Sequence, residues 1–403
     1  MKVLLTSHLF PNAADPVLGT FVQEEARFLR KHCEIQLVSP IPWFPRIRGF
    51  GRWSQLARIP YREHPCDIHV IHPRYVTLPR RFFFSSVGFF YLATLARTGR
   101  GLDVDLIHAH MAYPDGFAAV LFGAMVGKPV VITTHGSDID LYPAQSRIWR
   151  TLTVRALSHA DRVIAVSHAL RRKIEAFGIE ARRIQVIPNG VDTVLFRPLK
   201  EAQAGQPVSS KNLKRILYVG GILPEKGVGV LLEAMALLSS QRNDLELVLV
   251  GANRMRSQDQ MFMDQAERLS ISGRTTFIEA VPMAHIPAWL ASCDVFVSPS
   301  LQEGFGLSIV EALSCGKPVV ATRCGGPEDI VTDNVGRLVE PGDPKGLAEA
   351  ITHILDQPQN YDPVKITRYA HATFGLEAIV HQIVDLYLST LDEWRKSRTA
   401  YVP

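Results

Sequence analysis

Cysteine patterns that build disulfide scaffolds or zinc sites are missing from this 403-residue chain. Its five cysteines, Cys33, Cys66, Cys293, Cys315 and Cys324, are odd in number and far apart, and no two form a Cys-x-x-Cys pair. That argues against both kinds of site and predicts buried free thiols in a reducing compartment. Aromatic residues are few, at 8%, and charged residues moderate, at 21%, beside 47% hydrophobic. These proportions exclude a disordered, collagen-like or disulfide-dense chain and suit a folded protein of roughly two to three domain lengths.

Targeting and membrane-spanning signals are equally scarce. Met1-Lys2 runs straight into Val3-Leu4-Leu5-Thr6, without the apolar core and small-residue cleavage site of a signal peptide, so no export is expected. The longest nearly uncharged apolar stretch, Phe82 to Ala96, is shorter than the roughly 20 residues of a spanning helix. Net charge is only +5, but residues 1–100 hold 14 Lys and Arg against 6 Asp and Glu. Ten of those cations lie between Arg46 and Arg100. No nucleic-acid reading module accompanies them, and no nucleic-acid partner is expected.

Short apolar β-branched runs do recur: Val3 to Ser7, Glu34 to Ser39, Leu106 to Ala109, Val130 to Thr133, Arg162 to Ser167 and Ile184 to Ile187. Longer amphipathic stretches separate them, the rhythm of parallel sheets with helices on both faces and ligands at the strands' carboxyl ends. The polar, aperiodic stretch Lys200 to Lys211 reads as a linker. The rhythm then restarts, with strands expected at Arg215 to Val219, Leu245 to Val250, Thr276 to Ile278, Val295 to Pro299, Val319 to Thr322 and Gly336 to Val339. An internal echo, Gly127-Lys-Pro-Val-Val-Ile-Thr133 and Gly316-Lys-Pro-Val-Val-Ala-Thr322, fits two similar α/β halves, or simply a helix–Gly–strand joint that favours this sequence.

Polar residues gather where such strands end. Lys214 to Gly227 reads as a strand, a turn containing Gly220 and Gly221, then Lys226 before a helix starting near Val228. Backbone N–H groups, a helix dipole and an ammonium together suit phosphate, although a surface turn with a solvated lysine fits the same residues. The order Lys-Gly excludes a P-loop. In Ser298 to Glu311, Glu303 and Glu311 flank a helix start, and carboxylates accept hydrogen bonds from vicinal hydroxyls. The amides of Phe305, Gly306 and Leu307 are placed to cradle a diphosphate. Each carboxylate taken singly also reads as a capping or solvated residue. In the first half, His135 and Asp138 of Thr134-His-Gly-Ser-Asp138 follow a strand, His135 as a catalytic candidate and Asp138 as an acceptor contact. His108 and His110, alternating on a strand, read as structural. Two Asp-x-Asp triplets, Asp103 to Asp105 and Asp138 to Asp140, lack a third nearby ligand, so no metal is expected.

With these residues the chain resembles the retaining glycosyltransferases of family 4 (glycosyl transferases group 1) along nearly all its length. The resemblance rests on Glu303-x7-Glu311, Pro224-Glu-Lys-Gly227, Pro188-Asn-Gly-Val-Asp192, Val166-Ser167 and Thr134-His-Gly-Ser-Asp138. It implies the GT-B fold, two Rossmann-like domains facing across a cleft. Residues 1–198 would bind acceptor and 199–375 the nucleotide sugar, with a C-terminal helix at 376–403 crossing back to the first domain. It further implies that Lys226 binds the donor diphosphate, Glu303 the donor sugar and Glu311 the ribose. His135 would meet the donor sugar from across the cleft, and Gly19 would approach the phosphates. Gly220, Gly221, Gly304, Phe305, Gly306 and Leu307 complete the donor set, and the products are α-configured and formed without metal or other cofactor. Gly221 departs from the pattern, since family members usually carry arginine there. Arg254, Arg256 or Arg323 is expected to substitute.

The expected reaction moves a hexose from a UDP- or GDP-sugar to a glycan; no carboxylate is evident for a covalent glycosyl-enzyme, and the resemblance implies same-face substitution. Cations interleave with aromatics in Ile41 to Trp53 and Arg80 to Phe84, as on a surface that rests against anionic lipid, although a solvated basic face over a buried aromatic helix fits them too. Hence the expectation of a cytoplasmic protein, peripheral at the inner face of the membrane, with a lipid-linked oligosaccharide acceptor in cell-surface polysaccharide synthesis. Two alternatives remain open: a nucleotide-sugar epimerase of similar architecture, and a non-catalytic sugar-nucleotide-binding subunit, which Gly221 favours.

Overall fold

The computed structural model describes residues 1–45, 47, 52–65, 68–76, 84–99, 101–199, 213–251 and 256–399. Cys66, Arg254, the whole Lys200 to Lys211 stretch and much of both cation–aromatic runs lie outside the described residues, as does the side chain of Arg256. Two compact units emerge: Met1–Gly190 with Ile379–Pro403, and Val191–Ala378. The division falls before the break expected at residue 198 because Val191 is already bonded into the second unit. Its N–H donates to Phe374 O at 2.8 Å and its carbonyl accepts from Leu376 N at 2.9 Å.

The first unit holds strands β1 (Lys2–Thr6), β2 (Glu34–Val38), β3 (Ile41–Pro42), β4 (Arg62–Glu63), β5 (Val70–Ile71), β6 (Arg74–Tyr75), β7 (Leu106–His110), β8 (Val130–Thr134), β9 (Arg162–Ala165) and β10 (Ile184–Val186). Eight form one sheet in the order β10-β9-β8-β7-β1-β2-β5-β4, and β3 pairs with β6. All neighbours in the large sheet run parallel except β4 and β5. Every residue of β7 and β8 is buried, as expected for central parallel strands covered on both faces. Helices α1 (Thr20–Leu29), α2 (Arg52–Leu56), α3 (Phe84–Gly99), α4 (Phe117–Val126), α5 (Leu141–Gln145), α6 (Arg147–His159) and α7 (His168–Ala176) connect these strands. The Ser167 hydroxyl accepts from Leu170 N and caps α7, a contact that contributes about 1 kcal/mol.

The second unit repeats the plan with β11 (Lys214–Val219), β12 (Leu245–Val250), β13 (Thr275–Ile278), β14 (Val295–Ser298), β15 (Val319–Thr322) and β16 (Gly336–Val339). Their order, β13-β12-β11-β14-β15-β16, is the doubly wound order, parallel throughout. Its helices are α8 (Val228–Gln241), α9 (Arg256–Arg268), α10 (Ile286–Ala291), α11 (Leu307–Ser314), α12 (Pro344–Asp356), α13 (Pro363–Phe374) and the start of α14 (Leu376–Thr399). From Ile379 onward α14 belongs to the first unit, where the buried Tyr387 hydroxyl donates to His108 Nδ1 at 2.6 Å.

The internal echo has a local cause. Gly127 (φ 65°) and Gly316 (φ 77°) both end a helix in the left-handed region, where a side chain costs about 1–2 kcal/mol. The Lys-Pro that follows stops the helix, and the Val-Val pair opens β8 or β15. Of the cysteines, Cys33, Cys293 and Cys315 are buried free thiols, whereas Cys324 is partly exposed, which corrects the expectation of burial for that residue. It follows β15 directly, in a loop that reaches the surface.

Candidate active site

In a doubly wound sheet the loops diverge where the strand order reverses, opening a crevice at the carboxyl ends. In the second unit that point lies between β11 and β14. The loop after β11 carries Gly220, Gly221 and a 3-10 turn, Pro224–Lys226, and the loop after β14 carries Glu303. They are fastened together: Leu301 N donates to Glu225 O at 2.9 Å. Gly227 has φ 70°, and a Cβ there would lie 1.8 Å from Pro299 O, so only glycine lets the loops approach this closely.

Lys226 Nζ donates to Glu303 Oε2 at 2.6 Å, and Ser300 Oγ donates to the same oxygen at 3.3 Å. The ion pair is partly exposed, with 30% and 20% of the two side chains accessible. Such pairs contribute about 0–1 kcal/mol to folding, so stability does not explain a lysine and a glutamate held in the mouth of this crevice. The Glu303 backbone bonds the loop after β15 through Glu303 N to Cys324 O and Gly326 N to Glu303 O. The buried Tyr218 hydroxyl donates to Gly221 O at 2.7 Å, fixing the glycine turn. Burial raises the pKa of that phenol well above its usual value.

Gly304 is partly exposed, and Phe305 is buried, edge-on to Phe374. Gly306 caps the N-terminus of α11 at φ 109°, and Leu307 is its first residue. The first amides of a helix have no carbonyl ahead of them to bind, and no side chain caps them here. Glu311, one turn further, is partly buried, and burial alone pushes its carboxyl up to about 8. The expected substitutes for a missing arginine divide. Arg323 Nε lies 3.6 Å from Glu340, both side chains well exposed, whereas Arg254 and the Arg256 side chain lie outside the described residues.

In the first unit the order reverses between β1 and β7. His8, after β1, donates its N–H to Asp115 Oδ1 at 2.8 Å and sets Nδ1 2.5 Å from Oδ2, with Asp115 fully buried after β7. Met111, the residue after β7, adopts φ 80°, a conformation that costs a side chain energy and concentrates at functional sites. Sequence reasoning passed over this pair. The available signal was position, since His8 lies two residues after β1 and Asp115 in the turn after the neighbouring β7. Gly19, at φ 64°, caps α1 against Leu9 O.

His135 follows β8, partly exposed, with Phe21 against its ring at 4.6 Å between centroids. Its Nε2 lies 3.0 Å from His110 Nδ1. Burial, then the nearby His110, hold its pKa well below the usual histidine value, so the ring is neutral near pH 7. Asp138 is a correction: it does not face an acceptor. Its carboxylate is fully buried and accepts from three backbone amides, Ala112 N at 2.7 Å, His135 N at 3.1 Å and Gly136 N at 3.0 Å. A short acidic side chain next to a glycine turn binds amides more readily than substrate, and Asp138 thus shapes the loop that presents His135. Asp140, of the same triplet, binds Lys173 at 2.6 Å.

Two doubly wound α/β units, each with polar residues at its strand-order reversal, define the GT-B class of glycosyltransferases. Residues 18–195 match the model described as Glycosyltransferase Family 4, and 200–372 that of Glycosyl transferases group 1. D-inositol 3-phosphate glycosyltransferase 2 of Catenulispora acidiphila is 31% identical over 73% of this chain and 73% of its own length. A Bacillus subtilis (strain 168) glycosyltransferase attributed to teichuronic acid biosynthesis is 28% identical over 87% and 88%. Among solved structures, HepE of Anabaena in complex with UDP-glucose has a TM-score of 0.74 at 24% identity, covering 96% of this chain and all of the other. The chain belongs to the family 4, group 1 glycosyltransferases. No helix among the described residues is long and apolar enough to cross a membrane.

Proposed function

We propose that this glycosyltransferase moves a hexose from a UDP- or GDP-sugar to a glycan acceptor with retention, giving an α-linkage and requiring no metal ion. The observation that carries this reading is the Lys226–Glu303 pair at the β11/β14 reversal, beside the open amides of α11. Departure of a nucleoside diphosphate is the main electrostatic task of the reaction. The Lys226 ammonium and the positive end of α11 meet that developing charge. Lys226, drawn to the diphosphate, frees Glu303 to accept from the donor sugar's hydroxyls, while Glu311 accepts from the ribose. Gly19 approaches the phosphates, and His135 contacts the donor sugar. Arg323 swings from Glu340 to take the part of the missing arginine, so Arg323→Ala should weaken donor binding. Since Asp138 is enclosed by amides, it does not act as a base on the acceptor.

Lipid-linked glycan is the acceptor class we propose, with the protein peripheral at the inner face of the membrane. Trp43 and Ile47, beside the basic run, are 54% and 49% exposed, which suits interfacial insertion. The teichuronic acid assignment of the Bacillus relative points to surface polysaccharide, and the UDP-glucose complex of HepE to a nucleoside diphosphate sugar. A thermal-shift panel of UDP-, GDP- and ADP-sugars tests the donor, since ligand at 100 times Kd stabilises by about 2.7 kcal/mol. Stabilisation by one donor class, lost in Lys226→Ala, is expected. Sugar transfer that survives replacement of Lys226, Glu303 and Glu311 together would overturn the reading.

A further inference from the structure

Behind His135 lies a row of side chains that the proposed reaction does not use. Glu25, on α1, sets Oε1 3.4 Å from His110 Nε2, and His110 Nδ1 lies 3.0 Å from His135 Nε2. The two imidazole planes are within 11° of parallel, which suits a hydrogen bond lying in both rings. Glu25 and His110 are buried, at 7% and 0% exposure. Glu25 Oε1, His110 Nε2 and His135 Nδ1 are buried atoms that make no hydrogen bond of normal geometry among the described residues. His108 stands close to the first two, as in a metal site, but both its nitrogens are occupied. Nδ1 accepts from Tyr387 and Nε2 donates to Thr133 Oγ1 at 2.7 Å.

Proton counting gives this row a direction. A carboxylate oxygen 3.4 Å from His110 Nε2 favours a proton on that nitrogen. With that as the ring's single proton, Nδ1 is bare, and the bond between the rings is donated by His135 Nε2. His135 Nδ1 is therefore bare: a buried acceptor without a donor. Leaving such an atom unmet costs about as much as losing a hydrogen bond, so the site is complete only when a ligand donates to it.

We propose that Glu25 and His110 are positioning residues that hold His135 as its Nε2–H tautomer, so that Nδ1 receives a hydrogen bond from a hydroxyl of the bound sugar. The inference rests on the reading of His135 as a donor-sugar contact and deepens it. A bare nitrogen attracts a hydroxyl and repels an anionic oxygen, so His135 reads the sugar and not the diphosphate.

Nitrogen-15 resonance of ring-labelled histidine tests this in the full-length protein without substrate. The His135 signal, assigned by its loss in His135→Asn, should show a protonated Nε2 and a bare Nδ1, and the reverse pattern would overturn the proposal. In transfer assays His110→Ala should lower kcat/KM about 5- to 150-fold, the equivalent of one unmet buried hydrogen bond. His110→Asn, whose Oδ1 can still accept from His135 Nε2, should recover most of that loss. Equal losses in both variants would reduce His110 to a packing role and refute the tautomer argument. Because the resonance measurement needs no donor sugar, a wild-type protein that transfers no sugar would refute the functional reading and leave this one to be judged by its own result.

Discussion

Burial of Glu311 makes folding stability depend on pH, and Glu311→Gln isolates the effect. Burial alone raises its carboxyl from the ordinary 4.5 to about 8. In the unfolded chain the group gives up its proton above about 4.5, whereas in the folded protein it keeps the proton until about 8. Its contribution to stability is therefore intact below about pH 4.5, declines as pH rises, and is exhausted beyond about 8. At about 1.4 kcal/mol for each pKa unit the ceiling is about 5 kcal/mol. Glu311 is only partly buried, and solvent lowers that ceiling, so we expect glutamine to gain about 1–3 kcal/mol on glutamate between pH 5 and pH 8. Thermal unfolding of both proteins at half-unit pH steps measures this, at about 2–4 °C per kcal/mol for a unit of this size. Parallel melting curves from pH 5 to 9 would refute the reasoning. If Glu311 binds the ribose as a carboxylate, UDP binding at pH 7 must also release a proton. Calorimetry in buffers of different ionisation enthalpy should detect up to one proton for the wild type and none for Glu311→Gln.

Two other substitutions probe how the loops are built. Gly227→Ala forces a Cβ to within 1.8 Å of Pro299 O and adds about 1–2 kcal/mol for the left-handed backbone. It should lower the melting temperature and abolish UDP-dependent stabilisation, because the loops after β11 and β14 must part; normal UDP binding would show that their close approach is dispensable. Asp138→Asn turns an amide donor toward backbone N–H groups that now share one carboxylate. A loss of about 1–3 kcal/mol in urea unfolding, with kcat reduced through His135, is expected, and an unchanged midpoint would contradict the geometry.

The two sheets were legible in the sequence because central parallel strands announce themselves as unbroken apolar runs. Leu245 to Val250, Val319 to Thr322 and Gly336 to Val339 match the observed strands end for end. The two-residue strands β3, β4, β5 and β6 carry no such run, since so short a pairing depends on neighbours and not on its own residues. Lys226 and Glu303 could each be found at a strand end. That they bind one another, 77 residues apart, depends on β14 lying beside β11, which spacing along the chain does not reveal. The same gap misassigned Asp138, whose type and place beside His135 suited an acceptor contact just as well as the three amides that enclose it.

Partners contributed by other elements decide what each of these polar residues can do. His8 and Asp115 follow β1 and β7, strands far apart in sequence that lie side by side, and His110 acquires a carboxylate only because α1 lays Glu25 against β7. A carboxylate enclosed by amides, as at Asp138, can only brace a loop. One facing a lysine, as at Glu303, is held by that cation at the mouth of the crevice. One with burial as the sole influence on its proton, as at Glu311, keeps that proton to a higher pH than an exposed carboxylate does. Residue type and strand-end position nominate all three alike, and it is the surroundings supplied by the fold that separate support from chemistry.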